Sequence, residues 1–120
     1  NKHQDIVKKL ILDNKNVLDA GCGLGQFSQV IKNYIGVDIS PEFIRIAQQR
    51  YHRSKFLVAD LNKLPFEDNS FDWVILSSIK EMIINNDGKE AWNEMQVELK
   101  RVGKRLLILD YPNPEQYEIC

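Results

Sequence analysis

The sequence predicts an α/β domain built on a doubly wound parallel sheet with helices on both faces. Three observations carry that reading. Short apolar runs alternate with helical patterns along the chain. A glycine-rich turn follows the first apolar run directly. Acidic residues stand at the ends of the first three runs, where open α/β sheets bind their ligands.

Each element has its own signal. Ile6, Val7, Leu10 and Ile11 sit at helical spacing and predict an amphipathic helix over residues 3–13, ended by Asn14-Lys15. Val17–Ala20 reads as the first strand and runs into Gly21-Cys22-Gly23-Leu24-Gly25. Phe27, Val30 and Ile31 then predict a helix after the glycines. Tyr34–Asp38 is the second strand. Ser40-Pro41-Glu42 starts the next helix, with a capping hydroxyl, a Pro at the first helical position and an acid at the positive end. Phe43, Ile44 and Ala47 are its buried face.

Phe56–Ala59 is the third strand, ending at Asp60, and residues 64–70 read as a loop. Trp73–Leu76 is the fourth strand. Asn85-Asn86-Asp87-Gly88 reads as a turn. Ala91, Trp92, Met95, Leu99 and Val102 mark a helix with one apolar stripe. Lys100 and Arg101 lie at its negative end and Gly103 is placed to stop it. Leu106–Leu109 is the fifth strand, and no further strand is visible after Pro112 and Pro114.

Composition narrows the function. The chain has 120 residues, the size of one domain. It is 43% hydrophobic and 28% charged, which excludes a disordered or collagen-like chain. Sixteen Lys plus Arg against seventeen Asp plus Glu leave a net charge of −1, giving no support for a nucleic-acid or membrane-surface binder. No apolar run approaches the roughly 18 residues of a membrane span. Two distant cysteines, Cys22 and Cys120, do not make a disulfide framework, so a cytoplasmic location is expected. The Cys and His residues lack metal-ligand spacing, so no metal site is expected.

The glycine turn is the centre of the functional reading. Gly21, Gly23 and Gly25 allow positive φ and let a ligand approach the backbone. The competing reading is a tight turn that needs glycine for packing alone. A dinucleotide fingerprint is Gly-x-Gly-x-x-Gly; here the sixth position is Gln26 counted from Gly21 and Ser28 counted from Gly23. Neither frame fits, which disfavours a nicotinamide- or flavin-dependent oxidoreductase. Asp38 can accept from both hydroxyls of a ribose, or serve as a turn residue. Asp60 can accept from an exocyclic adenine N–H, or be an ordinary strand-end acid. Asp19 either faces the ammonium of an amino acid moiety or accepts backbone N–H groups of the loop. Cys22 is read as a packing residue between glycines.

These residues resemble a known family. Val17–Gly25, Tyr34–Ser40, Ala59-Asp60-Leu61 with Leu64-Pro65-Phe66, and Ser70–Val74 look, in order, like the four motifs of class I S-adenosylmethionine-dependent methyltransferases. The likeness covers about residues 15–110 and is greatest to the small-molecule, UbiE-like (ubiquinone-pathway) group. It implies a Rossmann-like sheet of strand order 3-2-1-4-5. It also implies S-adenosylmethionine as cofactor, S-adenosylhomocysteine as product and a small-molecule methyl acceptor. Asp19 and the Gly21–Gly25 backbone, including Cys22, would hold the methionine part. Asp38 would bind the ribose, Ile39 would lie against the adenine face, and Asp60 with the Leu61 backbone would meet the adenine edge. Ser77, at the end of the fourth strand, would lie near the methyl group.

The sequence also departs from that family. The segment Ser77–Met82 carries no His after the fourth strand, and the usual Lys-Pro-Gly-Gly turn is shortened to Val102-Gly103-Lys104-Arg105. No Asn-Pro-Pro-Tyr follows the fourth strand; Asp110-Tyr111-Pro112-Asn113-Pro114 comes after the fifth, the wrong place for a base-methylating motif. No catalytic base is identified: His3 and His52 read as surface residues, and Glu81 is a weak candidate. The family sheet has seven strands, and the last two are expected to be absent from a single domain spanning 1–120. The fifth strand would then be an apolar edge, covered by a partner chain, a second copy of the chain or the Pro-rich tail. Besides the small-molecule methyltransferase, a non-catalytic S-adenosylmethionine-binding module or partner subunit and an NAD-dependent oxidoreductase remain as alternatives.

Overall fold

A computed structural model describes residues 1–109 and 115–120. The elements run α1 (Lys2–Leu10), β1 (Asn16–Ala20), a 3-10 helix (Gln26–Gln29), β2 (Asn33–Asp38) and α2 (Pro41–Arg50), then β3 (Lys55–Val58), β4 (Phe71–Ser77), α3 (Lys80–Asp87), α4 (Lys89–Val102), β5 (Gly103–Leu109) and β6 (Glu118–Ile119). They form one sheet of order β3-β2-β1-β4-β5-β6. The first five strands are parallel, in the expected order 3-2-1-4-5. β1 leads onward to β2 and β3 on one side, and the chain then returns to β4 on the other. The order therefore reverses beside β1, at the edge of the glycine turn.

Alternating residues of the central strands feed two cores, as a sheet covered on both faces requires. Leu18, Val74, Leu76, Leu106 and Ile108 pack on one face with Trp92, Met95, Leu99 and Val102 of α4. Val17, Trp73, Ile75, Leu107 and Leu109 pack on the other with Val7 of α1, Phe27 and Ala47 of α2. α2 begins as expected: the Ser40 hydroxyl accepts from the Phe43 N–H, and Pro41 is the first helical residue. α1 is capped reciprocally by Asn1 and Gln4, and Gln4 Nε2 donates to the Gln26 carbonyl at 2.9 Å. That contact ties α1 onto the segment after the glycines.

Four expectations are corrected. The segment after the glycines is a 3-10 helix of four residues, not an α-helix. Only residues 26–32 separate Gly25 from β2. An α-helix of that length rises about 10 Å, whereas a five-residue strand spans about 16 Å, so a tighter turn plus extended chain is needed to return. Residues 80–87 form a helix where the Asn85–Gly88 signal suggested a turn; only Gly88, with φ +93°, breaks it from α4. α3 buries no residue, so it leaves no apolar stripe to read. Gly103 stops α4 in an extended conformation (φ −124°) and becomes the first residue of β5.

The fourth correction is a sixth strand. Glu118–Ile119 runs antiparallel to β5, with Ile119 opposite Leu107 and Glu118 opposite Ile108. Leu106 and Cys120 exchange backbone hydrogen bonds of 3.0 and 2.8 Å. Two residues are too short to show an alternating pattern. Of the expected covers for the fifth strand, the tail provides this one. The segment Asp110–Pro114 lies outside the described residues. Lys80 Nζ donates to Glu118 at 2.7 Å, joining β6 to the start of α3.

Candidate functional site

The strand ends and the glycine turn enclose two adjoining compartments. One, of about 420 Å³, is lined by Asp19, Cys22, Phe27, Arg50 and Ser77, among others. The second, of about 490 Å³, is lined by Asp38, Ile39, Asp60 and Leu61, together with apolar residues of α2, α3 and α4. Gly21, Gly23 and Ser78 line both and form the boundary.

The turn is held in a conformation that glycine alone adopts readily. Gly21, Gly23 and Gly25 have φ of +70°, +54° and +84°. A Cβ on Gly21 would run into Cδ1 of Ile79, so the start of α3 closes over this residue. A Cβ on Gly23 would meet nothing within 4 Å, which leaves its backbone open to a ligand. Gly25 instead faces inward. A Cβ there would lie 2.7 Å from the Phe56 ring, so this glycine serves packing and does not line either compartment.

Asp38 fastens the turn to the sheet. Its Oδ2 accepts from the Gly23 N–H at 2.9 Å and its Oδ1 from the Ser40 N–H at 3.0 Å. An ionised carboxylate has about four acceptor positions, so both oxygens retain capacity for ligand hydroxyls. The Cys22 N–H donates to the Val37 carbonyl at 2.8 Å, which continues the β1–β2 ladder into the turn. Burial raises the Cys22 thiol well above its usual range, with the Asp19 and Asp38 charges adding to the effect. It is an inert packing residue, as its place between glycines suggested.

Asp19 is 1% exposed, the one buried acid among the described residues. Its Oδ2 accepts from the Tyr34 hydroxyl at 2.5 Å. Burial pushes its carboxyl up to about 7; the Tyr34 bond opposes that shift and the Asp38 charge adds to it. The expectation had offered a ligand ammonium or loop N–H groups as partners. Tyr34, reaching across from β2, was not foreseen.

The second compartment differs in character. Ile39, Phe43 and Met82 are exposed apolar side chains gathered at one opening. Asp60 is exposed at the rim, and its Oδ1 accepts from the Asn62 N–H at 2.9 Å, so it closes a local turn. Leu61 is buried beside it. Glu98 and Arg101 of α4 secure the loop that follows. Glu98 accepts from the Leu64 N–H at 2.7 Å, and Arg101 donates to the carbonyls of Leu64 and Phe66. Arg101 therefore does more than complement the helix dipole.

Nine of the ten sequence-selected residues line the two compartments: Asp19, Gly21, Cys22, Gly23, Asp38, Ile39, Asp60, Leu61 and Ser77. Gly25 lies beneath them. The sequence reading missed Arg50, Phe43, Met82 and Ser78. Ser78 has φ +62°, unusual for a residue with a side chain, and its N–H donates to the Leu109 carbonyl. No sequence pattern signals that conformation. His3, His52 and Glu81 do not line either compartment. His3 is half-buried rather than exposed.

Comparison with known proteins matches residues 18–107, three quarters of the chain, to the methyltransferase domain family. The chain belongs to this family. The methyltransferase domain is 31% identical over 121 residues to demethylmenaquinone methyltransferase of Thermotoga maritima, covering 92% of this chain and 52% of that protein. A solved structure of a Pyrococcus horikoshii protein superposes with a TM-score of 0.75 at 30% identity, over 88% of this chain and 53% of the other. A SAM-dependent methyltransferase of Methanosarcina mazei gives 0.73 at 25% identity, over 86% and 55%. The methyltransferase domain spans about half the length of these three relatives.

The site fits the cofactor that these comparisons support, S-adenosylmethionine. An open glycine backbone, a buried acid in one compartment and an apolar slot beside a strand-end acid in the other match an amino acid joined to a nucleoside.

Proposed function

We propose that the domain binds S-adenosylmethionine across the two compartments and transfers its methyl group to a small-molecule acceptor. The observation that carries this is the division of the site at Gly21, Gly23 and Ser78, with Arg50 and the buried Asp19 on one side and a mainly apolar slot edged by Asp38 and Asp60 on the other. The polar compartment suits the methionine end, with Asp19 facing the ammonium and Arg50 supplying positive charge for the carboxylate. The apolar compartment suits adenosine: Asp38 for the ribose hydroxyls, Ile39, Phe43 and Met82 for the base faces, and Asp60 with the Leu61 backbone for the base edge.

When bound, the cofactor supplies a methyl group on a positively charged sulfur, already activated for displacement. The chain's task is then positioning. Asp38 holds Gly23 while retaining acceptor capacity for a ligand. Ile79 closes over Gly21 and limits the approach from the α3 side. Ser78 stands where the two compartments meet and Ser77 lines the first beside it, which suits them to face the reacting methyl. Among the described residues, those that line the site include no histidine.

The relatives include proteins named for quinone and sterol methylation, which supports a small organic acceptor. Among the described residues no helix is long and apolar enough to cross a membrane. A cytoplasmic setting remains part of the proposal, resting on the two distant cysteines of the sequence. The domain reading extends over residues 1–120 as one cofactor-binding unit. A second copy or a partner chain against β6 is retained as a way to extend the sheet further.

Calorimetric titration with S-adenosylmethionine, S-adenosylhomocysteine and NAD tests the reading. Binding of the first two alone is expected. A folded chain that binds neither, or binds NAD in preference, overturns it. Release of S-adenosylhomocysteine that depends on an added acceptor separates an enzyme from a binding module.

A further inference from the structure

Tyr34 and Gly36 are two residues apart on β2 and share a face of the sheet. In the parallel register Gly36 lies opposite Asp19 on one side and opposite Phe56 on the other. A Cβ on Gly36 would sit 2.7 Å from the Tyr34 hydroxyl, 2.8 Å from the Phe56 ring and 3.0 Å from the Cys22 sulfur. The Tyr34 side chain thus lies across the bare backbone of Gly36 to reach Asp19, one strand away. Phe56 meets the Tyr34 ring edge-on at 5.6 Å between centroids, and the same Phe56 ring supports Gly25 from below. Three strands, an unsubstituted glycine and two aromatic rings bring one hydroxyl to one buried carboxylate.

Packing accounts for the Tyr34 ring but not for its hydroxyl. A phenylalanine would fill the same space in the core without a hydroxyl that needs a partner. An acid at Asp19 would be avoided in a core with no ligand to meet. We propose that Tyr34 is a positioning residue that holds the Asp19 carboxylate beneath the glycine turn, in place to receive a cationic ligand group. The proposal rests on the reading of this compartment as the amino-acid end of the cofactor site.

The charged and titratable groups around Asp19 are few. Tyr34 lies on β2, Cys22 on the glycine turn and Asp38 at the end of β2, and Arg50 of α2 lines the same compartment. Burial, together with the Asp19 charge, raises the Tyr34 phenol far above its ordinary range. Tyr34 therefore remains a donor throughout the accessible pH range. Its hydrogen bond favours the ionised form of Asp19, while desolvation and Asp38 oppose it. Loss of the hydroxyl moves Asp19 titration to higher pH.

The test is Tyr34→Phe, which keeps the ring and its contact with Phe56. Two readouts are needed. In the ligand-free protein, carbon-detected NMR follows the Asp19 carboxyl through pH, and its midpoint rises in the variant. By calorimetry, S-adenosylmethionine affinity falls about three- to tenfold near pH 6 and by less than about twofold near pH 8.5. 5′-Methylthioadenosine, which lacks the amino acid end, binds both proteins alike. An unmoved Asp19 midpoint, or an equal loss for both ligands at every pH, overturns the proposal and leaves Tyr34 a packing residue. A wild-type protein that binds neither ligand overturns the functional reading and this proposal with it. Normal wild-type binding with no change in the variant overturns this proposal alone.

Discussion

The two compartments share a boundary but are built in opposite ways. The polar one is assembled from strand ends, and its key group is fixed by the register of β1 and β2: Asp19 stands opposite Gly36, and Tyr34 reaches it over that glycine. The apolar one is walled by side chains of three helices, one of which, α3, has no fully buried residue. The hydrogen bonds at the polar side leave little freedom to the groups that make them. On the apolar side the directional bonds are confined to the acids at its edge, Asp38 and Asp60, and the rest of the wall is apolar contact. On the proposed function, electrostatic selectivity would belong to the first region, and shape and apolar contact to the second.

The boundary is the place to break this contrast most severely. Gly21→Val forces a branched side chain into a left-handed conformation and against Ile79. We expect a loss of about 2–5 kcal/mol of stability, combining backbone strain with overpacking, and loss of binding on both sides. Urea unfolding measures the first and calorimetry the second. A stable variant that still binds would show that the turn is free to rearrange.

Asp38→Ala removes the clamp on Gly23 and the group proposed to meet the ribose. Affinity for S-adenosylmethionine should fall at least about tenfold, or about 1.4 kcal/mol. 5′-Methylthioadenosine should lose a similar factor, because the effect belongs to the nucleoside side. A loss confined to S-adenosylmethionine would move Asp38 to the other region.

The pH dependence sharpens the polar side. Asp19 releases its proton near 3.8 when unfolded and near 7 when folded. Between those values the folded state binds more protons. This group's contribution to stability is therefore most favourable below about pH 4, declines as pH rises and levels off above about 7. A ligand ammonium selects the ionised form, so cofactor affinity should rise over the approach to pH 7. Asp19→Asn should flatten both curves and weaken S-adenosylmethionine about tenfold near pH 7.5. Thermal unfolding and calorimetry across pH measure the two. A wild-type profile that is already flat would remove Asp19 from the ligand's reach.

The smallest effect belongs to the apolar wall. Met82→Ala trims a side chain that is 51% exposed. A loss of about twofold, the same for both ligands, is expected from its limited apolar area. A tenfold loss would mean that α3 is as firmly placed as the strand ends.

The chain's local patterns determined the sheet. Continuous apolar runs such as Leu106–Leu109 marked strands buried on both faces, and Ser40-Pro41-Glu42 marked the start of α2. Alternate glycines after β1 and acids at the ends of β1, β2 and β3 located the site, because only short-range backbone geometry and strand-end position were needed. Three things lay beyond that reach. The short 3-10 segment depended on the distance back to β2, and β6 depended on the unpaired edge that β5 offers it. The Tyr34–Asp19 bond depended on strand register, which puts Gly36 beside Asp19. Local propensity acts within a few residues of the chain. Which side chain meets a buried carboxylate fifteen residues away is decided only when the strands pair.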